Sequence, residues 1–366
     1  MAGKTVLWFA AAVPCDARGG VSRVMGELSS RLTMKGLACE VLTAGQARVH
    51  ANYVIFALWL AARYLFAFGK RPRWIIARST DGFAAALFAK LLHLGLGTAL
   101  HSHGWEEKAY EAELAAGADA GGPKTTWKAR AVRFPMLRAT LALCDTCLCG
   151  TVEEARWIKG KYPRFAPKIV CVPNGTDVRT GASRGWPAGV PPEFLCVANA
   201  TWKKNLARTL RVFRETQKLH PVARLTVVGC SPEDLEGVTG VPVTPGVSAV
   251  SSEAPESMLR RYLECPYLIS CSRYEGGRSL AILEAMSAGC VVFVSAIPSS
   301  LECVRNGVTG LVLPGKSSVD DAGIIARALA DPALCARVSE KAVLFAERQS
   351  WERQARRLER ALCLAP

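Results

Sequence analysis

Two periods of apolar and polar positions alternate along this chain. Short apolar runs bounded by turn-forming residues recur between longer stretches in which apolar residues return every three to four positions. The first pattern reads as buried strand, the second as helix with one covered face. In the first half the runs predict strands at Thr5–Ala11, Glu40–Thr43, Trp74–Arg78, Thr98–His101, Thr146–Cys149 and Ile169–Val172. Helical patterns such as Val21–Lys35 and Asp81–Leu94 lie between them. Short buried strands separated by helices imply a parallel sheet with both faces covered.

The segment Trp105–Arg138 is less regular, and its AAGADAGGP stretch predicts a loop. A Gly/Pro-rich span at Gly181–Pro192 predicts a linker. A second alternation follows, with strands expected at Phe194–Ala198, Arg224–Val228, Tyr267–Cys271, Val291–Val294 and Gly310–Leu313. The expected organisation is an α/β chain: a Rossmann-like domain over 1–180, a linker over 181–192, a second Rossmann-like domain over 193–345, and a terminal segment 346–366. Within that last segment, Trp351–Leu364 reads as an Arg-rich amphipathic helix. Two such domains in tandem would bring the C-terminal ends of their strands to a shared cleft, where open α/β sheets bind ligands.

Composition narrows this picture. A chain of 366 residues, 50% hydrophobic and 21% charged, is globular and long enough for two cores. Its 14 cysteines have no regular spacing. Cys144, Cys147 and Cys149 form a CxxC-like group, but in LALCDTCLCG, a strand-like context without a nearby histidine. Small core residues of a reduced, cytoplasmic protein are the expectation, not a zinc site. KTVLWFAAAVP lacks the marks of a signal peptide and reads as the first strand. Ala51–Phe68 approaches the length of a membrane span but is interrupted by Arg63 and followed by Lys70, Arg71 and Arg73. A packed helix is favoured there over a surface helix dipping into lipid headgroups. The net charge of +15 is uneven: residues 1–183 hold 24 Lys/Arg against 13 Asp/Glu, and residues 184–366 hold 22 against 18. No nucleic-acid module accompanies that charge, so an anionic membrane surface is the better-fitting partner.

The stretch SRYEGGRSLAILEAMSAG, Ser272–Gly289, carries the most chemistry. Glu275, Gly276 and Gly277 stand just ahead of an apolar helix that contains Glu284. Glycines let backbone approach a ligand, helix N-termini attract phosphate, and carboxylates accept hydrogen bonds from sugar hydroxyls. Together they point to a nucleotide-sugar site. Gly19 and Gly20 precede a helix without forming a dinucleotide fingerprint, so a phosphate loop and a plain turn are both open. His103 follows a strand, next to Gly104, where a cleft-facing role and a structural one are both open. VPNGTD, Val172–Asp177, is a turn signal, and Lys203 and Lys204 in ATWKKNL follow a strand as candidate diphosphate partners.

In this order, these motifs resemble the retaining glycosyltransferases of family 4, which have the two-Rossmann GT-B fold with a final helix crossing back to the first domain. GGVSRVMGELSSRLTMKGLACEVLT resembles the opening glycine loop and helix, VPNGTD the Pro-Asn-Gly-x-Asp loop, and KKN the phosphate-binding lysine region. SRYEGGRSLAILEAMSAG resembles the Glu-x7-Glu donor motif, VRNGVTGLVLP the segment after it, and SWERQARRLERAL the final helix. The resemblance covers nearly the whole chain. It implies that Glu284 binds ribose hydroxyls and that Glu275 with the backbone of Gly276, Gly277, Arg278, Ser279 and Leu280 holds sugar and diphosphate. It implies further that Lys204 and Gly20 meet the leaving diphosphate and that His103 contacts the sugar near its reacting carbon, with no bound metal and no cofactor. The implied partners are a nucleotide-diphosphate sugar and a lipid-linked or polysaccharide-precursor acceptor at the inner face of the membrane.

Two features depart from the family pattern. Glu275 and Glu284 are nine positions apart where eight is usual, and a bulge in the loop would absorb the extra residue without rotating Glu284. Asn199 stands where an arginine often precedes the lysine, leaving Arg273, Arg278 or Lys203 to supply charge. The rival expectations are a sugar-nucleotide epimerase of the same fold, which needs no acceptor, and a membrane-recruited scaffold with a degenerate donor site.

Overall fold

The computed structural model describes residues 5–13, 19–45, 52–67, 71–117, 125–127, 129–177, 191–240 and 245–364. The linker expected at 181–192 lies outside these except for Pro191 and Pro192, as does most of the loop expected at AAGADAGGP. The chain divides into two compact units: Met1–Leu114 with Pro123–Asn174 and Trp351–Pro366, and a second unit built chiefly on Gly175–Ser350.

In the first unit six parallel strands are ordered β2-β1-β3-β4-β5-β6: β1 (Val6–Ala11), β2 (Ala38–Thr43), β3 (Trp74–Arg78), β4 (Gly97–His101), β5 (Thr146–Cys149) and β6 (Ile169–Cys171). The crossovers are α1 (Gly20–Met34), α2 (Tyr53–Leu65), α3 (Phe83–Leu91), α4 (Glu106–Ala116) with α5 (Phe134–Leu143), and α6 (Val152–Lys161). Trp8, Ala10, Ile75 and Ala77 enter one core, while Leu100, Cys147 and Cys149 enter another with Trp105 and Leu141. All three cysteines of LALCDTCLCG are buried free thiols. Among the described residues no group of three His, Cys, Asp or Glu side chains is placed to hold a metal ion.

Within the Ala51–Phe68 segment, Tyr53–Leu65 forms α2, which packs one face against the sheet's core and leaves Ile55 and Leu58 exposed on the other. Asn52 caps it by accepting from the Val54 and Ile55 amides at 3.0 and 3.3 Å, and Phe56, Ala57, Leu60, Ala61 and Tyr64 are buried. No described helix is long and apolar enough to cross a membrane.

The second unit repeats the architecture with the order β12-β11-β10-β7-β8-β9, all parallel. Its strands are β7 (Glu193–Val197), β8 (Arg224–Val228), β9 (Val247–Val250), β10 (Tyr267–Ser270), β11 (Val291–Ser295) and β12 (Leu311–Leu313). The helices are α7 (Leu206–Leu219), α8 (Pro232–Thr239), α9 (Pro255–Glu264), α10 (Leu280–Ser287), α11 (Pro298–Leu301), α12 (Ser318–Leu329) and α13 (Pro332–Glu347). Alternate residues of one strand serve opposite faces: Phe194 and Cys196 join one core cluster and Leu195 the other, as do Phe293 and Val292. That is why the parallel strands read as unbroken apolar runs. β9, an edge strand with no fully buried residue, lacks such a run and escapes prediction.

The last helix, α14 (Trp351–Ala361), belongs to the first unit and packs on α1. Trp351, Ala355 and Leu358 share its buried face at helical spacing. Lys35, at the C-cap of α1, bonds Glu359 at 2.6 Å and lies 3.4 Å from Glu352.

Candidate active site

In the second sheet strand order reverses between β7 and β10, since β8 continues to one side of β7 and β11 to the other side of β10. At such a switch point the loops leaving the two strands diverge and open a crevice for ligand. The loop after β7 carries Asn199, Lys203 and Lys204; the loop after β10 carries Glu275 to Ser279. The two loops are tied by backbone, the Arg273 and Tyr274 amides donating to the Lys203 carbonyl at 2.7 and 3.3 Å. The Trp202 and Tyr274 rings stack with centroids 6.5 Å apart, and the Lys203 ammonium lies 5.2 Å over the Tyr274 ring. Close approach of β8 to this loop needs Gly229, at φ +102, where a Cβ would stand 3.1 Å from the Ala198 carbonyl oxygen.

Lys204 Nζ donates to both oxygens of Glu275, at 2.7 and 2.9 Å, across 71 positions of sequence. The pair is partly withdrawn from water, with side-chain exposures of 24% and 11%, so its attraction is stronger than it would be in bulk solvent. Ser272 donates to Glu275 Oε1 at 2.8 Å and is itself held by Ser295, whose hydroxyl donates to the Ser272 carbonyl. Ser270 and Ser272 hydroxyls are 3.3 Å apart. This serine brace orients the carboxylate, and sequence reasoning missed it because a lone serine near a strand end carries no signal.

Gly276 and Gly277 have no left-handed φ, so handedness is not what places glycine there. Ser279 is the N-cap residue of α10 but makes no side-chain capping bond, and Leu280 opens the helix. Glu284 is buried, one turn into a regular α10. Glu275 to Ser279 have no regular structure, and α10 is regular from Leu280 onward. Arg278 turns into its own unit, bonding Gln349 at 2.7 Å and Glu302 at 3.3 Å. Asn199 is exposed and accepts the Thr201 hydroxyl at 2.8 Å.

The strand ends of the first unit carry different chemistry. Gly19, at φ −79, is the N-cap residue of α1, and a Cβ there would meet only Ser22 Oγ at 3.9 Å; Gly20 begins the helix. The His101 and His103 rings lie 4.2 Å apart, and His101 Nδ1 and His103 Nε2 are buried without a hydrogen-bond partner. Burial pushes His101 down to about 4. His103 lies well below the usual imidazole range, first through burial, then through neighbouring His101 and Arg78. Both rings are therefore neutral at pH 7.

Their loop is held by Glu154 of α6, whose carboxylate accepts from the Ser102 hydroxyl at 2.8 Å, the Trp105 amide at 2.5 Å and the Gly150 amide at 3.1 Å. Asp81 accepts the Ala12 amide at 2.7 Å, joining the ends of β1 and β3, and burial lifts its carboxyl to about 6. Neither residue was singled out from sequence.

Comparisons with known proteins agree with this architecture. The model described as Glycosyltransferase Family 4 matches residues 18–180, and the one described as Glycosyl transferases group 1 matches residues 187–345. A D-inositol 3-phosphate glycosyltransferase from Actinosynnema mirum is 25% identical over 232 residues, which is 58% of this chain and 56% of the relative. One from Rhodococcus erythropolis is 29% identical over 113 residues, 31% of this chain and 25% of the relative. The chain thus matches about a quarter to just over half of the length of these relatives. Sucrose-phosphate synthase from Thermosynechococcus elongatus superposes with a TM-score of 0.78 at 15% identity, covering 99% of both chains. HepE from Anabaena in complex with UDP-glucose superposes at 0.70 and 12% identity, covering 98% of this chain and 100% of its own. Two family models that together span nearly the whole chain, and full-length structural neighbours with this fold, place the protein among the family 4 glycosyltransferases of the GT-B fold.

Proposed function

We propose that this glycosyltransferase moves a sugar from a nucleotide-diphosphate sugar to a lipid-linked or polysaccharide-precursor acceptor, with retention of anomeric configuration and without a bound metal. The observation that carries the reading is the Lys204–Glu275 pair, braced by Ser272, at the switch point of the second sheet. An ammonium beside glycine-bearing backbone and an uncapped helix N-terminus suits a diphosphate whose charge grows as the sugar departs. The carboxylate suits sugar hydroxyls, and Glu284 takes the ribose hydroxyls. The resemblance assigns His103 to the sugar and Gly19 and Gly20 to the diphosphate. A neutral imidazole is the form that exchanges hydrogen bonds with an uncharged hydroxyl. Lys203 and Asn199 flank the diphosphate position as secondary contacts, while Arg278 acts there through its backbone. UDP is the first nucleotide to test, because HepE was solved with UDP-glucose. Work on the cytoplasmic side of a membrane, peripherally attached, fits the basic first half.

Calorimetry and thermal shift with UDP-, GDP- and ADP-sugars test this directly. One nucleotide should raise the unfolding midpoint, and Glu284→Ala should weaken its binding by about tenfold or more. If no nucleotide binds, the donor site is not functional; if Glu284→Ala binds as well as the parent, the ribose role is wrong.

A further inference from the structure

Strand order in the first sheet also reverses, between β1 and β3, since β2 continues to one side of β1 and β4 to the other side of β3. The hydrogen bond from the Ala12 amide to Asp81 spans that point. Loops that diverge from a switch point open a crevice, so the first unit has one of its own.

Four charged side chains gather at this edge. Arg78 ends β3 and Asp81 follows three residues later; Glu106 begins α4, and Arg133 ends the helical turn Ala129–Arg133. Asp81 lies within electrostatic reach of Arg78, Arg133 and Glu106, and Arg78 also reaches His103. The Arg133 guanidinium is steadied 5.2 Å over the Tyr53 ring. Ser79 donates to Glu106 at 2.8 Å from a backbone held at φ +49. Strain of that kind in a non-glycine residue persists only where its surroundings enforce it, and it collects at ligand sites.

The hydrogen bonding here is half complete. Glu106 Oε1 is taken by both Ser79 and Arg133, the latter at 2.5 Å through one terminal nitrogen. Glu106 Oε2, Arg133 Nε and His103 Nε2 are buried with no hydrogen-bond partner among the described residues. Folded proteins leave few buried polar atoms unpaired, and several on one edge mark a place where a ligand completes the set. The Glu106 and Arg133 side chains are 19% and 30% exposed, so a rotation towards solvent presents both unpaired atoms.

The charges select the ligand. Two carboxylates stand against two guanidiniums, and the imidazoles are neutral. An anion would lose beside Asp81 and Glu106 what it gains from the arginines. An apolar chain would strip water from four charges and return no hydrogen bond. A sugar ring matches the set, because each hydroxyl can donate to a carboxylate and accept from a guanidinium.

We infer that this edge holds the terminal ring of an uncharged glycan acceptor, with Glu106 Oε2 and Arg133 Nε gripping adjacent hydroxyls. The enzyme then extends an existing neutral sugar rather than a phosphate-bearing headgroup. This narrows the acceptor of the proposed function and rests on that reading, in which His103, on the same edge, meets the donor sugar.

Saturation-transfer NMR on the full chain, without nucleotide, tests it with the methyl glycosides of glucose, galactose, mannose and N-acetylglucosamine, against glucuronate and glucose 6-phosphate. At least one neutral glycoside should bind, and more tightly than either anion. Glu106→Gln should weaken that binding by about tenfold or more, and Arg133→Lys, which keeps the charge but loses the planar fork, by a similar factor. Unfolding midpoints show which variants fold, and Arg133→Lys carries the test if Glu106→Gln does not. In steady-state transfer both variants should raise the acceptor KM more than they lower kcat, because they grip hydroxyls that do not react. No glycoside bound, an anion bound more tightly than every neutral probe, or glycoside binding unchanged in the folded variants overturns the inference. Nucleotide binding by calorimetry needs no glycoside and reports on the donor reading alone, so either can fail without the other.

Discussion

The two units answer the same architectural problem with opposite electrostatics. At its switch point the second unit holds a charged pair, Lys204 and Glu275, kept partly wet and braced by hydroxyls. At the corresponding strand ends the first unit holds buried groups that burial drives towards neutrality: His101, His103 and Asp81. A site built from an exposed-enough ion pair suits a ligand that brings charge. A site built from neutral imidazoles suits hydroxyls, and pays for its dryness in acid sensitivity.

The largest effect should come from removing the cation. Lys204→Met is expected to lower kcat/KM for sugar transfer by about a hundred- to a thousandfold, the scale of losing one charge-stabilising donor. A loss below about fivefold in steady-state assays would erase the contrast between the units. In the first unit the comparable blow is to stability. Glu154→Leu strands the Ser102 hydroxyl and two buried amides, and should cost roughly 2–4 kcal/mol. Chemical denaturation followed by fluorescence measures it; an unchanged midpoint would mean that the His103 loop does not depend on this carboxylate.

The pH dependence separates the units further. His101 takes up its proton at about 4 when folded but at 6.5 when unfolded, so as pH falls from 6.5 to 4 the unfolded chain binds more protons and stability drops. His103 acts in the same direction. Asp81 opposes them: its folded value of about 6 against an ordinary 3.8 makes stability fall as pH rises across that interval. Glu154, whose carboxyl is also raised by burial, acts in the same direction as Asp81, so the imidazole contribution is read as the difference between the parent and a variant without the ring. His101→Phe should lose less stability than the parent as pH falls from 6.5 to 4, and urea midpoints that follow the same pH dependence in variant and parent would refute the assignment. The smallest expected effect is Ser272→Ala, about a tenfold loss in kcat as Glu275 loosens, with Ser272→Thr restoring most of it. If threonine fails to rescue, the hydroxyl is not what matters.

What the sequence disclosed follows from the range of the forces involved. β3, β5 and β8 match the predicted Trp74–Arg78, Thr146–Cys149 and Arg224–Val228 residue for residue, because a strand buried on both faces writes its own boundaries in apolar side chains. β9 wrote none, lying at an edge with its residues half covered. Motif resemblance named Glu275 and Lys204 separately, but their pairing across 71 positions, and that of Asp81 with Ala12 across 69, exists only once the sheets close. Ser272 and Glu154 act through hydrogen bonds that neighbouring residues do not foreshadow.

The return of α14 to the first unit sets the order in which the molecule can be made. The first unit leaves off at Asn174 and resumes at Trp351, so its α1 surface has no partner while the whole second unit is being synthesised. At ordinary elongation rates that interval is on the order of ten to thirty-five seconds. Through it the nascent chain leaves uncovered the face of α1 on which α14 will pack, and the second unit can complete its fold before the first unit does.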